Sequence, residues 1–256
     1  MTYFYKQNLK PVHNVSFPLN FRMLIIGQSG AGKTALLMKL LLEDNYLNYK
    51  KLYIFARSLY QPEYKCLIAG IQNKLPKSDI LEILNAGNKI LKNESSIEEL
   101  AYGLSLDNKE NKIEESDIQG EFYNTSDDIP DPSELNMSIR NLIVFDDIMT
   151  DKKQSTAENY YTRGRSANCD SIYLSQNYTH LPLHTIRSNS NIMIFFKSSP
   201  LVIRQIYMDF SSVDFEDFKP WIEFCKNCWK DKYGYLVIDL SKAYESNLKY
   251  RNKLVL

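Results

Sequence analysis

Gly27-Gln28-Ser29-Gly30-Ala31-Gly32-Lys33-Thr34 has the spacing GxxxxGK(S/T). In such a stretch the glycines let the backbone curl so that successive amide N–H groups point inward at phosphate oxygens. A helix opening at Lys33 adds its positive end to the same place. Lys33 would reach the β- and γ-phosphates, and the Thr34 hydroxyl would ligate magnesium. The ligands expected of Gly27, Gln28, Ser29, Gly30, Ala31, Gly32, Lys33 and Thr34 are therefore the phosphates of a nucleotide and Mg2+. The bland alternative is a glycine-rich turn that binds nothing.

Phosphate chemistry of this kind needs a second acid for the metal, delivered by the end of a buried strand. Leu142-Ile143-Val144-Phe145-Asp146-Asp147 supplies a pair. Two carboxylates after four apolar residues are costly to a fold unless a cation or hydrogen bonds compensate them. By position Asp146 is the metal acid. Asp147 would polarise the attacking water, or else serves as a helix-cap or loop acid. Gln176, ending Ile172-Tyr173-Leu174-Ser175-Gln176, has an amide able to sense the γ-phosphate or hold the water, although glutamine also ends strands as a plain turn residue. Arg163 and Arg165 in Thr162-Arg163-Gly164-Arg165-Ser166, and Arg187 further on, are candidates to stabilise a transferring phosphoryl group, each with an exposed salt bridge as its alternative.

Short apolar runs alternating with helical stretches must position these residues, which is the pattern of an α/β sheet with crossover helices. Strands are expected at Met23 to Ile26, Leu52 to Phe55, Leu142 to Phe145, Ile172 to Leu174, Ile192 to Phe196 and Tyr235 to Asp239. Helices are expected from Lys33 to Glu43, Leu201 to Phe210 and Phe215 to Trp229. Ser155 with Glu158 three residues on forms a capping-box pattern for a helix running toward Asn168.

The length of 256 residues suits one domain spanning 1–256. No apolar run approaches a bilayer span and MTYFYKQNLK lacks a leader's apolar stretch, so the expectation is a soluble protein of a reducing, intracellular compartment with no disulfide among its four cysteines. The formal charge of zero is uneven: from Ile90 to Glu134 there are thirteen acids against three bases, ten negative charges in excess. The rest carries ten positive charges in excess, which permits a polyanion-facing surface. That acidic segment, about 90–134, reads as a partly mobile surface insertion, and 199–256 as a helical and strand extension ending in a basic tail with Lys249, Arg251 and Lys253.

With GQSGAGKT, LIVFDD, TRGRSANCDSIYLSQNY and TIRSNSNIMIFFKSSP in this order, the chain resembles the poxvirus-type genome-packaging ATPases of large double-stranded DNA viruses. These occur also in virophages and Polinton-like elements, within the FtsK-HerA superfamily of P-loop NTPases. The resemblance runs from Phe21 to Phe210 with the acidic segment as a gap. It implies a RecA-like core in which the Gln176 strand lies between the phosphate-loop strand and the Asp146 strand. It further implies an ATP-hydrolysing double-stranded DNA translocase working as a pentameric or hexameric ring, with capsid proteins as further partners. The setting would be a host cytoplasm, a virus factory or the virion. Arg165 occupies the place of the arginine that reaches a neighbour's nucleotide, with Arg163 second and Arg187 third. Many relatives have histidine where Ser166 stands, and the wider superfamily usually has glutamate, one methylene longer, at the position of Asp147.

Rival readings are a nucleotide-binding capsid assembly factor with little hydrolysis and a small-molecule kinase, for which no arginine-rich lid is apparent. No Asn-Lys-x-Asp guanine motif occurs. Cys225 with Cys228 and His180 with His184 have metal-like spacing, but Pro182 and the flanking aromatics favour packing. The Lys152-Lys153 pair is placed to touch DNA or to be simply solvated.

Overall fold

The computed structural model describes residues 17–90, 94–148, 154–242 and 248–254. The Lys152-Lys153 pair lies outside the described residues. Eight strands form one sheet in the order β3-β2-β4-β5-β1-β6-β7-β8. These are β1 (Arg22–Ile26), β2 (Lys51–Ala56), β3 (Gln119–Tyr123), β4 (Asn141–Asp146), β5 (Cys169–Ser175), β6 (Ile192–Phe196), β7 (Tyr235–Asp239) and β8 (Tyr250–Arg251). β1 to β6 run parallel, and β7 and β8 are antiparallel additions. The α/β class and the expected placement of the Gln176 strand between its two neighbours are both observed. The apolar runs are unbroken because strands buried on both faces need apolar residues at every position.

Alternate residues of each strand feed two cores. Met23 and Ile25 pack on one face with α1 (Lys33–Leu42), α2 (Pro62–Gln72), α3 (Lys77–Ile90) and α4 (Glu94–Glu110). Leu24 and Ile26 pack on the other with α5 (Ser155–Arg163), α6 (Pro200–Ile206) and α7 (Phe218–Cys228). Parallel strands put all their C-terminal ends on one edge of the sheet, which is where ligands bind in folds of this kind.

Three expectations need correction. The 90–134 segment contains α4, the edge strand β3 and two short 3-10 turns, and it buries Ile97, Ala101 and Ile129 in the two cores. Its acids meet bases from outside: Asp117 with Lys50, Glu121 with Lys51, Glu115 with Lys74 at 3.0 Å and Asp131 with Arg163 at 2.7 Å. Part of the positive excess elsewhere therefore answers this segment. The basic tail is also internal in function: Lys249 pairs with Asp214, and Arg251 with Asp239 across β7. Ser155 does not cap α5; Gln154 holds that position, with its amide donating to the Ile148 carbonyl at 2.6 Å and accepting from the Tyr173 hydroxyl at 2.9 Å.

The expected helix at Leu201 to Phe210 is α6 followed by a π turn over Tyr207–Ser211. Cys225 and Cys228 are buried against Trp221, and burial pushes their thiols up to about 12 and about 11. Among the described residues no group of three or more metal-ligating side chains occurs, and no helix is long and apolar enough to cross a membrane.

Candidate nucleotide site

β1 ends at Ile26 and the chain turns at once, with the Gly27 amide donating to the Ser175 carbonyl at 3.1 Å. A side chain at Gly27 would press within 2.8 Å of Phe196, so the loop can leave the sheet here only on glycine. Gly30 and Gly32 adopt φ of 73° and 104°, the left-handed region that other residues avoid. Gly32 is then the N-cap of α1 and carries no side-chain cap. The first turn's amides are thus left for a ligand. Lys33 folds back over this loop, its Nζ donating to the Gly27 carbonyl at 2.7 Å and the Gln28 carbonyl at 3.1 Å.

A cleft of about 550 Å³ opens over the loop and is lined by Lys33, Thr34, Asp146, Asp147 and Gln176. The volume lies in the range of small-molecule sites. Five residues separated by up to 143 positions meet because β5 lies between β4 and β1 and all three are parallel, with Ile26 opposite Ser175 and Asp146 opposite Leu174. Burial raises the Asp146 carboxyl above its ordinary value, against the opposing pull of the Tyr64 hydroxyl and Lys33, while Asp147 adds to the rise. Burial likewise lowers Lys33, and Asp146 and Asp147 pull it back up. A divalent cation would relieve the Asp146 penalty directly, so the donor set, Asp146 and the Thr34 hydroxyl, fits a hard metal ion.

Asp147 is exposed and has φ of 52°. Such a conformation is tolerated by aspartate but rarely adopted by other residues with a side chain. Gln176 stands beside it, with Nε2 at 3.4 and 3.5 Å from the two Asp147 oxygens. Those distances are long for strong hydrogen bonds and leave both side chains able to engage a third group between them.

The arginines are not brought to this cleft. Arg163 and Arg165 precede β5, whose seven residues then run toward Gln176. At about 3.3 Å per residue the two ends lie roughly 20 Å apart. Arg163 pairs with Asp131, and Arg165 is exposed, with its backbone carbonyl accepting from Asn20 at 3.2 Å. Arg187 is buried, pairs with Asp209 and lies 4.3 Å over the Tyr178 ring. Tyr178 and Gln205 also donate to Asp209, at 2.6 and 2.7 Å. That set ties the π turn Leu183–Arg187 to the π turn Tyr207–Ser211 and gives Arg187 a structural partner within its own chain.

Sequence reasoning missed Tyr64. It stands on α2, fully buried, and its hydroxyl donates to Asp146 Oδ2. One carboxylate oxygen is thereby held and the other is left for the cleft. Tyr64→Phe is expected to raise the magnesium concentration for half-maximal turnover about tenfold or more, as loss of an orienting partner does. Nucleotide binding measured in EDTA should be unchanged; an unaltered magnesium midpoint would remove Tyr64 from the site.

Residues 12–75 match the family described as "Poxvirus A32 protein". No curated protein matches the chain. Among solved structures, the chain is similar to the genome packaging NTPase B204 from Sulfolobus turreted icosahedral virus 2 in complex with ATP-gammaS, at 11% identity and TM-score 0.47, covering 93% of this chain and 98% of that one. B204 from Sulfolobus Turreted Icosahedral Virus, described as a DNA-packaging ATPase, aligns at 14% identity and TM-score 0.44, covering 87% and 94%. VirB4 of Thermoanaerobacter pseudethanolicus aligns at 13% identity and TM-score 0.40, covering 77% and 83%. The family match leaves Asp146, Gln176 and the arginines outside its span. Over the quarter of the chain that carries the phosphate loop and its helix, the sequence is similar to the Poxvirus A32 family, in agreement with the resemblance its motifs bear to viral genome-packaging ATPases.

Proposed function

We propose that this chain is an ATP-hydrolysing motor that moves double-stranded DNA, and that its cargo is a viral genome entering a capsid. The observation that carries the reading is the meeting of Lys33, Thr34, Asp146, Asp147 and Gln176 at one open cleft over a loop with uncapped amides. The loop amides and Lys33 would bind the β- and γ-phosphates of ATP, and Lys33 would exchange its two loop carbonyls for phosphate oxygens. Thr34 and Asp146 would hold magnesium, which when bound would offset phosphate charge. Asp147 would accept a proton from the attacking water, and Gln176 would orient that water.

The position of Arg163 and Arg165 at the far end of β5 supports a site shared between copies. An arginine roughly 20 Å from its own cleft can act on a nucleotide only from a neighbouring subunit, as in a closed ring with head-to-tail contacts. The arginine's charge would then stabilise the transferring phosphoryl group. Arg165, exposed, suits this role better than Arg163, which would first have to leave Asp131.

Turnover measured against protein concentration, with and without duplex DNA, tests the reading. The rate per chain should climb with concentration and rise further with DNA, and the DNA effect should fade with salt as released counterions compete. A rate that is flat in concentration and indifferent to DNA would favour the assembly-factor reading. Phosphate transfer to a small acceptor would favour the kinase reading.

A further inference from the structure

The cleft has two kinds of lining. Lys33, Thr34 and the two carboxylates are charged or polar, whereas Leu36 of α1, Phe196 at the end of β6, Tyr233 and Tyr235 are apolar or aromatic. Phe196 and Tyr235 are used up in packing, edge against face with ring centroids 5.6 Å apart. Tyr233 is not: it is 55% exposed, in the turn that leads from α7 into β7.

That ring is nonetheless held in place. Its Cδ1 lies 3.2 Å from the position a Cβ on Gly32 would take, so it rests against the residue that opens α1. The turn behind it is tight, since a Cβ on the next residue, Gly234, would fall 2.4 Å from the Cys228 carbonyl. Lys232 places its ammonium 5.1 Å from the ring centroid. A large aromatic kept in water beside a phosphate-binding loop forgoes the burial that the other rings of this sheet edge obtain. A planar ligand stacked on it would restore that burial.

Resting on the nucleotide-site reading above, we propose that the nucleobase of the bound nucleotide stacks on the Tyr233 ring, so that the aromatic part of the cleft lining is a base site recognised by its π face. A nucleoside triphosphate combines the same two kinds of chemistry as the cleft lining, with an anionic chain and a flat, largely apolar base. Lys39, also in the lining, has its Nζ 3.8 Å from Glu43. Affinity for the base should come from stacking.

The test compares ATP with inorganic tripolyphosphate, by calorimetry with magnesium present, on the full chain. Tyr233→Ala should weaken ATP by about tenfold or more while leaving tripolyphosphate unchanged. Tyr233→Phe and Tyr233→Trp should keep the wild-type preference for ATP over tripolyphosphate. The proposal is overturned if Tyr233→Ala leaves ATP affinity unchanged, or weakens ATP and tripolyphosphate by the same factor. Wild-type protein that binds neither ligand would instead sink the phosphate-site reading beneath it.

Discussion

Replacement of Lys33 by alanine should lower ATP turnover by about 10²–10³-fold, the scale on which one preorganised donor aimed at developing charge contributes. Lys33 is the one cation among the described residues lining that cleft at the phosphate loop itself, and two carboxylates face it. Its present partners are the Gly27 and Gln28 carbonyls, which solvent can satisfy once the side chain is gone. Melting temperature should therefore stay close to wild type, and the loss should appear in turnover and nucleotide affinity. A Lys33→Ala protein that hydrolyses ATP at the wild-type rate would end the active-site account.

The largest stability effect is expected at the opposite end of the sheet. Asp170, fully buried at the start of β5, accepts from both Arg140 Nε at 2.9 Å and Arg140 Nη2 at 2.6 Å, and from the Phe21 amide at 2.9 Å. Arg140 also donates to Asn20 Oδ1 at 2.9 Å and Asn168 Oδ1 at 2.7 Å, so one guanidinium joins the approaches to β1, β4 and β5. Asp170→Asn keeps the shape but turns an amide donor toward the guanidinium and strands a nearly buried cation. The expected cost is about 3–5 kcal/mol. For a chain of this size that lowers Tm by roughly 10 °C.

Adding Arg140→Met to Asp170→Asn should recover part of the loss, since no unpaired cation then remains and the asparagine oxygen can still accept from Phe21. Thermal melts of the two single variants and the double one close the cycle. A shift under about 2 °C for Asp170→Asn would show that the pair contributes little. Turnover of the folded protein should be unaffected below the transition, because the pair lies a full strand length from the cleft.

The central strands were legible because each is a run of apolar residues ending at a polar or glycine stop, and that pattern is local. The phosphate loop was legible for the same reason at Gly30 and Gly32, whose positive φ is a demand set within the loop, whereas the demand at Gly27 comes from Phe196 on β6. The edge strand β3, Gln-Gly-Glu-Phe-Tyr, was missed because an edge strand faces water and needs no apolar run; it exists by pairing with β2, some 68 positions away. Lys249 and Arg251 looked like a free basic tail because their partners Asp214 and Asp239 are brought to them only by the sheet. At Ser155 a valid capping pattern lost to Gln154, whose contacts with Ile148 and Tyr173 depend on the neighbouring strand.

What the sequence by itself determined is the kind of chemistry: a loop shaped for phosphate, a lysine and a threonine following it, and two carboxylates closing a buried strand. Backbone strain and desolvation act on neighbouring residues, so they leave a mark in the order of amino acids. The tertiary structure alone decided which groups share the cleft and which do not. It brought Tyr64 to Asp146 and Tyr233 to Gly32, buried Arg187 against Asp209, and set Arg163 and Arg165 at the far end of β5. Those placements follow from strand order, which is settled by burial and hydrogen bonding across dozens of residues and leaves no periodic trace along the chain.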